Sequence, residues 1–411
     1  NNNKSNPQIA SRLTSLSVIL GIGILFYFKY LGFCIEQFQS LFNSFGLQTN
    51  ESTFKIIMPL GISFFTFQQL SYVIDRCRGE AAHCDLITYA VFVTFFPQLI
   101  AGPIVTYDEM IPQFKDMSRR RADRENMRIG IRYFVIGFAK KVLLADILAG
   151  PVNYAFVMPR ELDSPTVIIV MLMYMFELYF DFSGYCDMAS GIARMFNIDL
   201  PINFNSPYIS ASVKELWQRW HITLSRFFTG YVYIPLGGNR CGTFRTYLNN
   251  FLTMLVAGLW HGASWMFVVW GALHGLGLII HKSLKKTVLD NIPDSWPVRA
   301  LCTLLTLVFF IFTLVFFRSP DWNTAMEVLS KTFTDFDWAY LPPFWERRTT
   351  WIVFMLLAYM LHYTPKKWHD RIKTFIVDSH WVVKLIIFAV TVQLVINFSQ
   401  DNVQPLLYAQ F

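Results

Sequence analysis

Two histidines stand in apolar, aromatic surroundings where an imidazole is unusual. His261 lies in Gly258-Leu-Trp-His261-Gly-Ala-Ser-Trp265, near the middle of Phe251–Ile280, thirty residues without Asp, Glu, Lys or Arg. His221 lies in Glu215-Leu-Trp-Gln-Arg-Trp-His221-Ile-Thr-Leu-Ser225. An ionisable group at bilayer depth costs on the order of 3 kcal/mol on insertion scales, so it marks a functional site by default. A neutral imidazole there acts as a base near neutral pH. His261 is therefore the candidate general base. Trp217 and His221 are four apart, which predicts a shared helical face and a role for His221 in orienting substrate or lining a mouth. His274 reads as packing.

A second group carries charge. Glu177, Asp181 and Asp187 fall within Met171–Phe196, the first two at helical spacing. Carboxylates that close are expected to be partly protonated or to pair with a cation such as Arg194 or Lys140, whether to orient a histidine or as a structural ion network. Lys214 and Arg219 have the charge to receive an anionic donor, or they snorkel to an interface. Asn239 and Arg240 follow a Gly237-Gly238 turn and either cap a helix or touch phosphate. No GxxxxGK[ST] or GxGxxG motif accompanies them.

These residues need a scaffold, and composition says which. The chain has 411 residues, 54% hydrophobic and only 15% charged, against roughly 25% charged in soluble domains. The fold class is all-α, a polytopic helical membrane bundle. Apolar stretches near 13–33, 53–75, 86–106, 129–149, 165–182, 251–280, 298–317, 350–363 and 382–398 suggest about nine to eleven membrane-embedded helices. The region 165–198 has room for two segments. The polar, proline-bearing stretch 199–250 is expected to form re-entrant or amphipathic structure around a central funnel. The whole of 1–411 reads as one integral-membrane domain.

Its +7 net charge clusters in the connections, which fits cytoplasmic-loop bias and not nucleic-acid binding. Positive-inside counting puts 107–128, 281–297 and 364–380 in the cytoplasm, and 318–349 and the C-terminus outside. The six cysteines form no CxxC pair, so neither a metal site nor a disulfide framework is expected.

Six segments, in order, carry a family resemblance: Phe95-Phe-Pro-Gln-Leu-Ile-Ala-Gly-Pro103, Phe180-Asp-Phe-Ser-Gly-Tyr-Cys-Asp187-Met, Asn203-Phe-Asn-Ser-Pro-Tyr208, Trp217 to Ser225, Tyr233-Ile-Pro-Leu-Gly-Gly-Asn-Arg240 and Leu259-Trp-His261-Gly-Ala. Together they resemble the membrane-bound O-acyltransferase family, in the bacterial branch that acetylates cell-envelope polysaccharides and includes the membrane subunit of alginate O-acetylase. Relative to that branch the chain is expected to lack about two N-terminal spans.

The resemblance makes His261 the catalytic histidine and His221 the second family histidine. It implies a bacterial inner-membrane enzyme that passes an acetyl group from cytoplasmic acetyl-CoA, a substrate and not a resident cofactor, to a secreted or periplasmic acetyltransferase partner. The final acceptor would be a polysaccharide such as alginate, cellulose or peptidoglycan. The chain end, Gln404-Pro-Leu-Leu-Tyr408-Ala-Gln-Phe411, resembles the family's C-terminal Phe-x-Tyr-Phe-x-Phe motif, with Leu406 and Ala409 replacing aromatics. In that setting Tyr408 is the implied acyl relay, with an interfacial aromatic anchor as the alternative. Competing readings of the whole chain are an acyltransferase acting directly on a lipid or peptide, and a transporter or channel. No two-fold internal symmetry supports the latter.

Overall fold

The computed structural model describes residues 7–47, 56–287, 295–398 and Leu407, and among them the chain is helical with no strand. The first part holds α1 (Pro7–Lys29), α2 (Leu31–Ser44), α3 (Ile62–Arg78), α4 (Leu86–Thr94), α5 (Tyr107–Lys115), α6 (Arg124–Ala139) and α7 (Asp146–Val157). The central part holds α8 (Ser164–Met195), α9 (Val213–Arg219), α10 (Ile222–Phe228), α11 (Thr243–His261) and α12 (Trp265–Thr287). After it come α13 (Trp296–Arg318), α14 (Trp322–Thr334), α15 (Leu341–Arg347), α16 (Thr349–Tyr363), α17 (Lys366–Asp378) and α18 (Trp381–Phe398). Among the described residues, four stretches are long and apolar enough to cross a bilayer: Gln8–Lys29, Ser164–Met195, Trp265–Lys285 and Trp296–Arg318. Three shorter apolar stretches, Leu86–Gln98, Thr349–Tyr363 and Trp381–Leu394, accompany them.

The axis of the bundle is α8. The region 165–198 is one helix, not two segments, and its 32 residues would run about 48 Å. Asp163 caps its start through the Thr166 amide at 2.7 Å, and Pro165 occupies the first turn where no amide is needed. Most of its residues are buried, including the polar Glu177, Asp181 and Ser183. A helix hydrophobic all round belongs inside a bundle.

Small residues bring α6 against it. Gly130 and Gly137 are seven apart, as are Gly184 and Gly191, and they pair antiparallel. A β-carbon on Gly130 would stand 2.6 Å from the Gly191 carbonyl oxygen, and one on Gly137 would collide with that of Gly184. Between α6 and α7 the chain widens into a π-helical turn, Lys140–Ala145.

Two expected spans are broken. In 86–106 the helix stops at Thr94, because Pro97 enters a short 3₁₀ turn, Phe96–Gln98, and irregular chain follows, buried at 101–105. The run 251–280 is not one helix with His261 at its middle. It is an antiparallel pair, α11 and α12, joined by Gly262, Ala263 and Ser264. The Ser264 hydroxyl takes the Met266 amide at 3.2 Å. Gly262 is extended, and a β-carbon there would strike the Phe267 ring. The stretch 199–242 consists of short helices, turns and a second π-helical turn, Thr229–Tyr233, and 243–250 already belong to α11.

Gly137→Val should lower the thermal midpoint and the folded yield strongly, since overpacking costs about 1–3 kcal/mol or more where backbone must move. Gly23→Ala, with nothing within 4 Å of the added carbon, should leave both unchanged or improved. Fluorescence-detected size exclusion after heating compares the two.

Candidate active site

His221 and His261 converge on one aromatic cluster. Its ring Trp260 lies 6.0 Å from His221 and 5.0 Å from His261, centre to centre. His261 is 3% exposed and is further enclosed by Trp270 at 4.9 Å and Phe317 at 5.2 Å. It occupies the last residue of α11, where the chain leaves the helix.

His221 is held differently. Helix α9 ends at Arg219, Trp220 is extended, and His221 adopts φ 44° and ψ 52° ahead of α10. Trp217 and His221 therefore do not share a helical face. A non-glycine residue in the left-handed region persists only where its surroundings hold it. Here the holder is Asn203. Its Oδ1 accepts from the Thr223 amide at 3.2 Å and the Thr223 hydroxyl at 2.9 Å, and lies 3.1 Å from His221 Nδ1. Two donors already fix that atom as the amide oxygen, so His221 Nδ1 must donate as well. The Asn203 carbonyl accepts from the Ile222 amide, its Nδ2 reaches Cys186 Sγ on α8, and Thr223 Oγ1 accepts from the Ile104 amide.

His274 is locked on both nitrogens. Trp217 Nε1 donates to Nδ1 at 3.2 Å, and Nε2 lies 3.1 Å from the Thr313 hydroxyl, which itself donates to the Phe310 carbonyl. Nε2 thus donates to Thr313. A ring held this way packs α9, α12 and α13 together.

The carboxylates form an ion network with a cation that spacing did not single out. Lys141 Nζ bridges Asp181 at 2.6 Å and Asp146 at 2.7 Å, while its neighbour Lys140 takes Asp187 at 2.6 Å. Arg194 pairs with Asp199. Asp181 Oδ2 also accepts from the Leu407 amide at 2.9 Å, and Leu407 is buried in the main core. Glu177 is buried one turn away, with no ion pair among the described residues. Tyr408, like Leu406, Ala409 and Phe411, lies outside the described residues.

The residues singled out as donor-binding separate into two groups. Lys214 and Asn239 line one cavity of about 430 Å³, together with His281, Lys282 and Lys285, over a floor that includes Trp217, Met254 and Ala257. Arg219 is instead committed to Glu215 at 2.9 Å and to the Asn205 carbonyl at 3.1 Å. Arg240 is exposed beside the 237–240 turn, which Asn249 tethers through the Gly238 carbonyl at 3.0 Å. His281, Lys282 and Lys285 escape the sequence reading because 281–297 reads as a basic cytoplasmic connection, whereas the structure places all three on the last turns of α12. A second cavity, about 410 Å³, lies between α6, α8 and the 198–204 loop, and Arg132, Lys140, Arg194 and Asn203 are among its lining residues. Among the described residues no group of His, Cys, Asp and Glu has the makings of a metal site, and all six cysteines are free.

Comparison with known proteins gives concordant results. Residues 77–317 match the model of the membrane-bound O-acyltransferase family. A peptidoglycan O-acetyltransferase of Helicobacter pylori is 40% identical over 352 residues, 79% of this chain and 66% of the relative. A probable alginate O-acetylase AlgI of Azotobacter vinelandii is 40% identical over 335 residues, 80% and 64% of the two chains. A teichoic acid D-alanyltransferase of Streptococcus thermophilus is 29% identical over 280 residues, 63% and 68%. The chain spans just under two thirds of the first two relatives.

Asn203→Ala should cost more than any other single polar change at the site. It leaves three buried donors without an acceptor, each worth about 1–3 kcal/mol. Exposed Asn205→Ala serves as control, and the thermal midpoints of the two variants check the order.

Proposed function

Because the chain belongs to the membrane-bound O-acyltransferase family, we propose that it moves an acyl group, acetyl in the simplest case, from a cytoplasmic thioester to an acceptor outside the bacterial inner membrane. The supporting observation is the 430 Å³ cavity and the residues that line it. Lys214, Lys282 and Lys285 give it a cationic mouth suited to the phosphates of coenzyme A. Asn250, Met254 and Ala257 line it at steps of three and four along α11, and one further step along that row is His261. A donor entering by its acyl end would thus be guided toward the histidine.

The chemistry asked of the site is modest. A hydroxyl attacks the thioester carbonyl, a C–O bond forms, the C–S bond breaks, and His261 carries the hydroxyl proton to the departing thiolate. The charge that develops on the carbonyl oxygen needs donors. The indole N–H groups of Trp260 and Trp270 are buried, beside His261, and without hydrogen-bond partners among the described residues. They suit that task. His221, fixed as a donor at Nδ1, would orient the nucleophile.

The nucleophile in this reading is Tyr408, acting as a relay to a secreted or periplasmic transferase that acetylates a polysaccharide. Leu407, the residue before Tyr408, is buried against Asp181, which supports this reading. The relatives act, by their names, on peptidoglycan, alginate and teichoic acid, so a cell-envelope polymer is the class of final acceptor.

His261→Ala should reduce acyl transfer from acetyl-CoA by about 10²–10⁴, the range of a lost general base, with normal expression. Lys282→Gln or Lys285→Gln should raise KM for the donor by at most about fivefold each, with kcat held, as expected of exposed charge contacts near 1 kcal/mol. Tyr408→Phe keeps the ring and removes the hydroxyl. Loss of polymer acetylation, with an acyl-tyrosine on the wild-type C-terminal peptide by mass spectrometry, supports the relay; an active Phe variant and an unmodified tail refute it.

A further inference from the structure

The last turn of an α-helix leaves its final carbonyls without intrahelical donors. In α11 those carbonyls belong to the residues that carry the site. Three of them are taken by two consecutive residues at the end of α1, some 230 positions earlier in the chain. The Tyr30 hydroxyl donates to the Leu259 carbonyl at 2.7 Å. Lys29 Nζ donates to the Trp260 carbonyl at 2.6 Å and the His261 carbonyl at 3.2 Å. Lys29 has no carboxylate partner among the described residues; its other contacts are the Ser63 hydroxyl at 3.5 Å and the Trp260 ring, 5.9 Å from its centre. A lysine spent on helix-end carbonyls is in the orientation that the helix dipole favours.

The grip continues past the turn. Helix α2 follows α1 after the single residue Tyr30, and from it Gln37 accepts the Trp265 indole N–H at 2.9 Å while Phe33 meets the Trp265 ring at 5.9 Å. The elbow between α1 and α2 therefore holds both ends of the 261–265 turn, the end of α11 and the start of α12. All four gripping residues lie before residue 77, where the family match begins.

We propose that Lys29 and Tyr30 are positioning residues for His261: they cap α11 from a separate helix and so fix the backbone from which the imidazole projects. Without them the last turn of α11 frays, since Gly262 has already left helical geometry and offers no continuation. The ring then loses its place between Trp260, Trp270 and Phe317, although neither Lys29 nor Tyr30 touches the reacting atoms. The kinetic consequence rests on the assignment of His261 above; the structural consequence does not.

The test uses the full-length protein in nanodiscs with three variants, Lys29→Met, Lys29→Arg and Tyr30→Phe. Diethyl pyrocarbonate labelling, read peptide by peptide, reports how well each histidine is shielded. His274, buried in the same bundle but held by Trp217 and Thr313, is the internal reference. Lys29→Met should raise labelling of His261 at least fivefold with His274 unchanged, Tyr30→Phe should do so more weakly, and Lys29→Arg, which still donates to carbonyls, should restore the wild-type pattern. On the acetyl-CoA assay Lys29→Met should lower kcat at least tenfold with KM for the donor within twofold. Labelling that rises equally at both histidines, or that stays at the wild-type level at His261 in Lys29→Met, overturns the proposal. A selective rise at His261 with unchanged kcat upholds the clamp and instead removes His261 from the chemistry. Should Lys29→Met not fold, Tyr30→Phe and Lys29→Arg carry the same comparison.

Discussion

In an apolar slab every backbone amide and carbonyl must find its partner inside the protein. Continuous helices meet that demand by themselves; breaks do not. This chain breaks where its candidate chemistry lies, at 196–221 and at 262–264; the first break is held chiefly by polar side chains of its own, the second by side chains brought from the α1–α2 elbow. Asn203 serves the His221 turn with its carbonyl, its amide oxygen and its amide nitrogen. Asn197, itself left-handed at φ 60°, donates to the carbonyls of Arg119 and Arg121 and accepts from Asn126. Arg219 closes the loop at Asn205. These bonds hold irregular backbone in place and let it aim a side chain that a regular helix would not.

The ion network of α8 shows the same economy in side chains. Lys140 and Lys141 are adjacent, so on a regular helix they would point about 100° apart, yet both reach α8, at Asp187 and Asp181. They do so from the π-helical turn, whose extra residue per turn alters the facing of the two side chains. Buried charges are tolerated when paired and further bonded, and removing one partner typically costs about 3–5 kcal/mol. Asp181 meets that condition with two kinds of partner, the ammonium of Lys141 and the amide of Leu407. The same carboxylate therefore ties α8 to the α6–α7 elbow and to the chain's end.

Much of this was legible in the residues themselves. The long apolar helices, the irregular stretch within 199–250 and the buried pair Glu177 and Asp181 follow from hydropathy, prolines and four-residue spacing. Spacing also suggested that Trp217 and His221 share a face, and there it misled, because nothing local announces that Trp220 is extended; the turn is imposed by Asn203. The run Phe251–Ile280 read as one span because the break at Gly262 is made by packing, with Phe267 lying where a β-carbon would be. Lys141 was passed over for Lys140 since the π-helical turn leaves no periodic trace. Contacts between α1 and α11 join residues more than 200 apart, which no spacing rule reaches.

The two histidines hang from different supports. His221 is fixed through Asn203 and Cys186 to α8, and through Thr223 to the buried chain at Ile104. His261 belongs to α11, whose close partner is α12, packed through Gly258 and Gly271. What joins the two systems is aromatic: Trp260 lies between the histidines, and Phe67 stacks on it at 5.5 Å and on Phe227 of α10 at 4.1 Å. Aromatic contacts of this sort hold distance well but direction weakly, whereas the hydrogen bonds of Asn203 are directional. The separation of the imidazoles is accordingly set by rings, while the facing of His221 is set by Asn203. For the acyl transfer proposed above, a directional support at His221 beside adaptable ring contacts at Trp260 would let the space between the imidazoles open without turning His221.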